Sequence, residues 1–449
     1  MPQPSGIFDA HHPPSRELAE DCVHCGFCLP TCPTYVLWGQ EADSPRGRIY
    51  LMKAGLEDRA QWDAAFQRHF DTCLGCMACV TACPSGVQYD RLIEATRPQV
   101  ERHGSRSIGD RLFRELIFSL FPRADRLRAL AAPLALYQKS GLQRLVRATG
   151  VTKLLPERLA AMERLLPPMH GDPEVPEVTP ARGERRRRVG LLLGCVQRVF
   201  FAHVNHATAR VLSAEGCEVV APRAQECCGA LMMHAGREEE AMSAARRMID
   251  AFDRVGVDAV AINAAGCGSA MKDYGLLLRD DPAYAERARA FAARCVDVSE
   301  LLAGLEPRAV RKPLPVTVAY HDACHLQHAQ RVKAAPRQLL TTIPGLELRE
   351  IPESDVCCGS AGVYNLLEPQ AAAALRDRKV ANILKTGADI VVSGNPGCMM
   401  QIRAGVDAAG TRIESLHTIE LLDRSIDGVT SRSSGSPTRS SSRRATDGS

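Results

Sequence analysis

Two cysteine runs constrain this chain more than any other feature. Cys22, Cys25, Cys28 and Cys32 are followed by Pro33, and Cys73, Cys76, Cys79 and Cys83 by Pro84. Both read C-x2-C-x2-C-x3-C-P, the spacing with which a single chain holds two [4Fe–4S] cubanes. The reason is geometric. Three thiolates two residues apart wrap one loop around three irons, while the fourth, ahead of proline, turns toward the other cluster. The spacing therefore predicts one cluster on Cys22, Cys25, Cys28 and Cys83 and a second on Cys73, Cys76, Cys79 and Cys32. Zinc sites ordinarily use two separate C-x2-C pairs, and disulfide frameworks belong to oxidising compartments. Residues 1–20 are polar, with His11, His12, Pro13 and Pro14 where a signal peptide would be apolar. A reducing cytoplasm is expected.

A length of 449 residues allows about two to four domains and an ample core. A formal net charge of +4 and 5% aromatic residues argue against nucleic acid as a partner. No apolar run reaches the roughly twenty residues that span a bilayer. The nearest, Leu112 to Tyr137, is interrupted by Arg114, Arg123, Asp125, Arg126 and Arg128. Membrane contact is expected to be peripheral, on the inner face, or through a partner.

In chain order, residues 1–15 read as a flexible arm and Arg16 to Asp21 as a short helix. Ser44-Pro45-Arg46-Gly47-Arg48 has the serine cap and first-turn proline of a helix start. Trp62, Phe66 and Phe70 share one helical face. The cysteine runs thus belong to a mainly α-helical unit. Arg46 and Arg48 follow the first loop and read either as a solvated helix start or as charge that raises a cluster's potential. Residues 99–170 read as amphipathic helices without a catalytic constellation, a packing connector or docking surface. Pro167, Pro168, Pro173, Pro176 and Pro180 mark a boundary, and Arg185 to Arg188 read as a solvated lead into a strand.

From residue 189 the chain repeats itself with a period of about 130 residues. Val189 to Cys195 answers Val316 to Cys324. Cys227-Cys228-Gly229 answers Cys357-Cys358-Gly359. Val260 to Cys267 answers Val391 to Cys398, and Val298 to Leu302 answers Thr418 to Leu422. The apolar runs predict buried parallel strands alternating with helices such as 238–255 and 370–385. Cys195, Cys267, Cys324 and Cys398 then stand at carboxyl strand ends, where open α/β sheets place their sites. With the Cys-Cys pairs they make four thiols per half: Cys195, Cys227, Cys228 and Cys267, then Cys324, Cys357, Cys358 and Cys398. Each set suffices for a further Fe–S or metal centre, or serves as redox or quinone-contacting thiols. His321, His325 and His328 surround Cys324, and His203 and His206 follow Cys195, as candidate extra donors. Cys217 and Cys295 have no counterpart in the repeat and read as core residues.

The fold class is α+β and multi-domain. The boundaries expected are a two-cluster helical domain at 1–98, a helical connector at 99–188, Cys-Cys-Gly modules at 189–310 and 311–427, and a disordered Ser/Arg-rich tail at 428–449.

The paired Cys-Pro runs, Ser44-Pro45-Arg46-Gly47-Arg48 and the twofold Cys-Cys-Gly repeat together resemble the iron–sulfur subunit of glycolate oxidase. Its layout is shared by the anaerobic glycerol-3-phosphate dehydrogenase C subunit, the lactate-utilisation Fe–S protein and heterodisulfide reductase. The resemblance covers residues 15–425 and is closest in Gly194-Cys195-Val196-Gln197 and Asn263 to Gly268. It departs from heterodisulfide reductase, whose repeats end in C-x2-C, because Ala270 and Gln401 stand where a second cysteine would be. The resemblance implies an electron-transfer subunit of a glycolate dehydrogenase complex. Flavin-containing partner subunits would oxidise glycolate to glyoxylate, and a quinone or membrane acceptor would take the electrons. Nothing in the chain resembles a flavin fold, and no Gly-x-Gly-x-x-Gly follows a strand. The alternatives are a lactate or glycerol-3-phosphate complex, or a heterodisulfide or thiol reductase.

Overall fold

The computed structural model describes residues 6–169 and 171–427. The tail expected at 428–449 and the first five residues of the arm lie outside the described residues. Residues 6–15 are not a loose arm. Phe8 is buried against Trp62 and Phe66, with ring centroids 5.7 and 6.5 Å away, and the Trp62 indole donates to the Ile7 carbonyl at 2.7 Å. His11 and His12 both meet Glu238 at 3.1 Å. One buried aromatic ring anchors what polar composition made look free.

The N-terminal unit is helical throughout: Arg16–Glu20, Pro33–Trp38, Pro45–Leu56, Ala64–Asp71, Ala78–Ala82 and Tyr89–His103. Ser44 caps its helix as expected, its Oγ accepting from Gly47 N at 3.0 Å. The helix bearing Phe66 and Phe70 begins after Trp62. Asp63 caps it by accepting from Phe66 N at 2.7 Å, so Trp62 packs on the helix from just outside. Helices Ile108–Leu120, Ala124–Lys139, Leu142–Thr149 and Glu157–Arg164 form the connector.

Two sheets follow. The first holds β1 (Val178–Thr179), β2 (Arg187–Leu191), β3 (Cys217–Val220), β4 (Ala259–Ile262) and β5 (Cys295–Asp297) in the order β1-β3-β2-β4-β5. The second holds β6 (Thr317–His321), β7 (Glu347–Glu350), β8 (Ile390–Ser393) and β9 (Glu414–His417) in the order β7-β6-β8-β9. Strands β2 to β5 match β6 to β9 one for one, and all of these pairings are parallel. The extra β1 runs antiparallel at an edge, in the Pro-rich stretch where sequence predicted only a boundary. Arg185 and Arg188 pair with Glu218 on the neighbouring strand, so the arginine run is the solvated lead into β2.

The halves meet reciprocally. The helix after β2 (Ala202–Ala214) lies on the helix after β9 (Thr418–Asp427), and the helix after β5 (Val298–Ala303) lies on the helix after β6 (Ala334–Thr341). Their apolar faces merge into one core in which Val189, Leu191 and Val211 join Val318, Val392 and Leu421. At the seam Ala265 N donates to Gly394 O at 3.1 Å and Gln330 Nε2 to Ala265 O at 2.9 Å.

Candidate metal centres

In each sheet the strand order switches sides between β2 and β4 and between β6 and β8, the place where a crevice opens beyond the carboxyl ends. Cys195 and Cys267 follow β2 and β4, and Cys324 and Cys398 follow β6 and β8, so all four stand at these crevices. The Cys-Cys-Gly turns bring the remaining thiols there. Gly229 and Gly359 adopt φ of 84° and 86°, the left-handed region that side chains disfavour. A Cβ on Gly229 would lie 3.1 Å from Ala241 O, and one on Gly359 only 2.6 Å from Ala372 O. Glycine is needed twice over, for the turn and for the helix that crosses it.

In the second half Cys324 Sγ lies 3.9 Å from Cys357 Sγ, while donor atoms of Cys358, Cys398 and His321 all fall within 4.8 Å of one another. Contact with Cys358, opposed by burial and aided by His321, holds the Cys398 thiol down to about 5. Contacts with Cys324 and Cys358 likewise hold Cys357 well below the usual thiol range. In the first half Cys195, Cys227, Cys228 and Cys267 form a similar contact chain. There Cys195 is pushed up by Cys227 and by burial, and among the described residues no histidine takes the place of His321. The second half thus offers a buried imidazole donor beside its thiols.

The histidines near Cys324 part company. His321 joins the thiols; neither ring nitrogen has a hydrogen-bond partner although both are buried. His325 stacks on His234 with centroids 4.7 Å apart. His328 Nδ1 meets Thr81 Oγ1 at 2.6 Å. His203 and His206 are placed elsewhere. His206 Nε2 donates to Pro173 O at 2.9 Å, and His203 lies 3.7 Å from both Asp172 and Glu420, so neither joins the thiols. Cys217 and Cys295 are buried within strands β3 and β5. The two positions lacking a second cysteine have other work. Ala270 is core, and buried Gln401 donates to Ala372 O at 3.0 Å, the carbonyl that Gly359 crosses.

In the N-terminal unit Cys22, Cys25, Cys28 and Cys83 line one cavity together with Cys79. Cys32 acts electrostatically on Cys76 and Cys79 of the second loop and on Cys28 of its own. Burial raises Cys76 and Cys79 well above the ordinary range and pushes Cys28 up to about 11. Crowded thiols that resist ionising in low dielectric are the donor set a cationic iron centre neutralises. Cys73 is the exception. Burial opposes its thiolate, but Arg48 and Arg97 outweigh that and lower it.

Arg48 is therefore not a solvated helix start; it stands between Cys32 of the first loop and Cys73 of the second. It is 1% exposed, donates to Asp43 O at 2.6 Å, Thr34 Oγ1 at 3.2 Å and Thr72 Oγ1 at 3.2 Å, and serves the Cys73 side. Arg46 remains at the first loop, donating to His24 O at 2.7 Å and pairing with Glu41.

The two regions touch. Cys76 lies in one apolar cluster with Cys324 and Cys357, and burial, then the nearness of Cys357, pushes the Cys76 thiol up. Sequence gave no sign of this contact, since the partners are far apart in the chain. His234 was also missed; it lies five residues beyond Gly229, a spacing that no motif marks.

A helical head with two sets of four thiols, set against a duplicated Cys-Cys-Gly module, defines an iron–sulfur electron carrier. The description "4Fe-4S dicluster domain" matches residues 18–87, "Cysteine-rich domain" matches 189–272 and 318–403, and "Glycolate oxidase iron-sulfur subunit, linker region" matches 109–166. The chain is 40% identical over 411 residues to the probable glycolate oxidase iron-sulfur subunit of Bacillus subtilis (strain 168), covering 90% of this chain and 93% of that one. It is 38% identical over 412 residues to the glycolate oxidase iron-sulfur subunit of Escherichia coli (strain K12), covering 90% and 94%. Lactate utilization protein A of Exiguobacterium sp. is 30% identical over 239 residues, covering 53% of this chain and 98% of that protein. The chain belongs to the glycolate oxidase iron–sulfur subunit family. A crystal structure of a hypothetical protein from Helicobacter pylori shares the fold, with a TM-score of 0.54 at 10% identity over 88% of this chain and 70% of that one.

Proposed function

We propose that this chain carries electrons in a complex that oxidises glycolate to glyoxylate, with the 2-hydroxy acid chemistry on flavin-bearing partner subunits and a quinone or other membrane acceptor downstream. The carrying observation is the one apolar cluster that holds Cys76 of the dicluster head with Cys324 and Cys357 of the second Cys-Cys-Gly module. The ligand sets we assign are Cys22, Cys25, Cys28 and Cys83, then Cys73, Cys76, Cys79 and Cys32. Cys324, Cys357, Cys358 and Cys398 with His321 form a third site. We take residues 1–98, 99–188, 189–310 and 311–427 as the working units. Iron–sulfur clusters, when bound, supply one-electron carriage. The chain's own residues bury Cys32, Cys73, Cys76 and Cys79, place Arg48 and Arg97 beside Cys73, and clamp the head to the second module through Thr81 and His328.

No helix among the described residues is long and apolar enough to cross a membrane, which is compatible with peripheral attachment.

The test is reconstitution. The anaerobically purified chain alone should not oxidise glycolate, and adding it to its flavoprotein partners should restore glycolate-dependent dye reduction. Glycolate oxidation by the chain alone would sink the reading. So would full electron transfer by a complex carrying Cys357→Ser with Cys358→Ser.

A further inference from the structure

A cavity of about 410 Å³ lies between the connector and the duplicated module. That volume is within the roughly 300–1,000 Å³ of small-molecule sites. Thiols from both halves, among them Cys195, Cys267 and Cys398, line one side. Leu120, Leu127, Leu134, Met162 and Leu166 of the connector line the other. Among the described residues no lysine or arginine lines it, and the one carboxylate among them, Glu163, already accepts from Tyr137 at 3.2 Å and Arg147 at 3.0 Å. Carboxylates, phosphates and nucleotides therefore find no counter-charge there. Leu130 lines the cavity and is 42% exposed, so the cavity reaches the surface along the connector. Around it the connector also exposes Leu136, Leu142, Leu145 and Leu154, and over residues 108–164 basic residues outnumber acidic ones about two to one. Such a face suits the approach of an apolar molecule carried in an anionic lipid layer.

One polar group is conspicuous. His234 lines the cavity, and both its ring nitrogens are shielded from solvent without a hydrogen-bond partner. A neutral imidazole has one N–H to donate and one lone pair to accept with. Burial, then His325 and Arg97, keeps this ring neutral.

We propose that this cavity binds a quinone-class electron acceptor, its ring beside the cysteine sites with a carbonyl oxygen toward His234 and its tail leaving past Leu130. This rests on the electron-carrier reading above and names where its acceptor sits. Reduction of a quinone ring to a hydroquinone takes two electrons and two protons, the protons ending on the two ring oxygens. Oxidation of a 2-hydroxy acid to a 2-oxo acid releases two of each, so the half-reactions balance without a further reactant. The connector's role follows: its leucines roof the acceptor site.

The full-length, anaerobically purified chain is tested for binding of decylubiquinone by equilibrium dialysis, and for photolabelling by an azidoquinone read by peptide mass spectrometry. Label is expected in residues 120–137 or 162–167. Leu134→Trp, which fills the cavity, should weaken binding roughly tenfold or more, with the iron–sulfur absorption spectrum unchanged. In the reconstituted complex it should leave glycolate-dependent reduction of a water-soluble dye intact. Leu130→Trp at the mouth serves as the second variant should Leu134→Trp not fold. His234→Ala should weaken decylubiquinone binding while sparing dye reduction. Absence of binding by the wild type, label confined to other peptides, or binding unaltered by the folded tryptophan variants would overturn the proposal. Loss of dye reduction in the wild-type complex would overturn the electron-carrier reading instead, whatever the binding shows.

Discussion

The crossed ligand sets proposed above, with Cys83 completing the first and Cys32 the second, give a sharp expectation. Cys32→Ser should damage the cluster on Cys73, Cys76 and Cys79 and spare the one on Cys22, Cys25 and Cys28. EPR of the reduced chain checks it, and the reverse loss would reject the crossed sets. Arg48 is the second residue of consequence. It is buried beside Asp43 and acts on Cys73 and Cys32. Arg48→Met takes the guanidinium from Asp43, which keeps His69 at 2.8 Å and the Thr72 hydroxyl at 3.2 Å, and should cost about 1.5–3 kcal/mol of stability. It should also lower the reduction potential of the second cluster, because a nearby positive charge favours the reduced form; a potentiometric EPR titration reads the shift. Glycine in the Cys-Cys-Gly turns comes third. Alanine pays about 1–2 kcal/mol for left-handed φ at either turn. The Ala372 carbonyl then stands closer to Gly359 than Ala241 does to Gly229. Gly359→Ala should therefore lower the denaturation midpoint more than Gly229→Ala.

Among elements, the helix Val298–Ala303 at the inter-repeat contact carries a full capping box. Asp297 accepts from Ser299 N at 2.8 Å while Glu300 Oε2 accepts from Asp297 N at 3.0 Å. Asp297→Ala should cost about 1–2 kcal/mol, seen as a lower urea midpoint of the full chain. Elements of this kind were legible in sequence wherever one local rule sufficed. Ser44 announced its cap, the apolar runs gave parallel strands, and the cysteine-plus-proline spacing gave the dicluster head. The twofold repeat showed because β2 to β5 and β6 to β9 kept matching cysteines. What stayed hidden depends on contacts remote in the chain. The two residues of β1 exist only by pairing with β3. Phe8 orders the arm because Trp62 and Phe66 wait for it. The pairing of Arg48 with Cys73 and the apposition of Cys76 and Cys357 leave no trace in any window of sequence. The same holds for the cavity, which needs connector and repeat together.

For the whole molecule, the head and the repeat differ in what holds them. Several head helices are only five or six residues long, and Cys73 and Cys79 sit in its core with Cys22, Cys28 and Cys83 packed against it. The repeat instead rests on two sheets and one large apolar core. Anaerobic chelation of iron should therefore open residues 16–103 to protease first, while the 187–427 region persists; mass spectrometry of a limited digest decides, and equal loss of both would contradict it. The crossed sets proposed above also bear on biosynthesis. With those sets, when the first loop leaves the ribosome its fourth thiol has not been made. The nascent chain then offers three sulfurs to an iron donor and must wait, through the helices Pro45–Leu56 and Ala64–Asp71, for Cys83 to emerge. Neither site can be matured alone, so cluster loading is tied to completion of the whole head rather than to the order of translation.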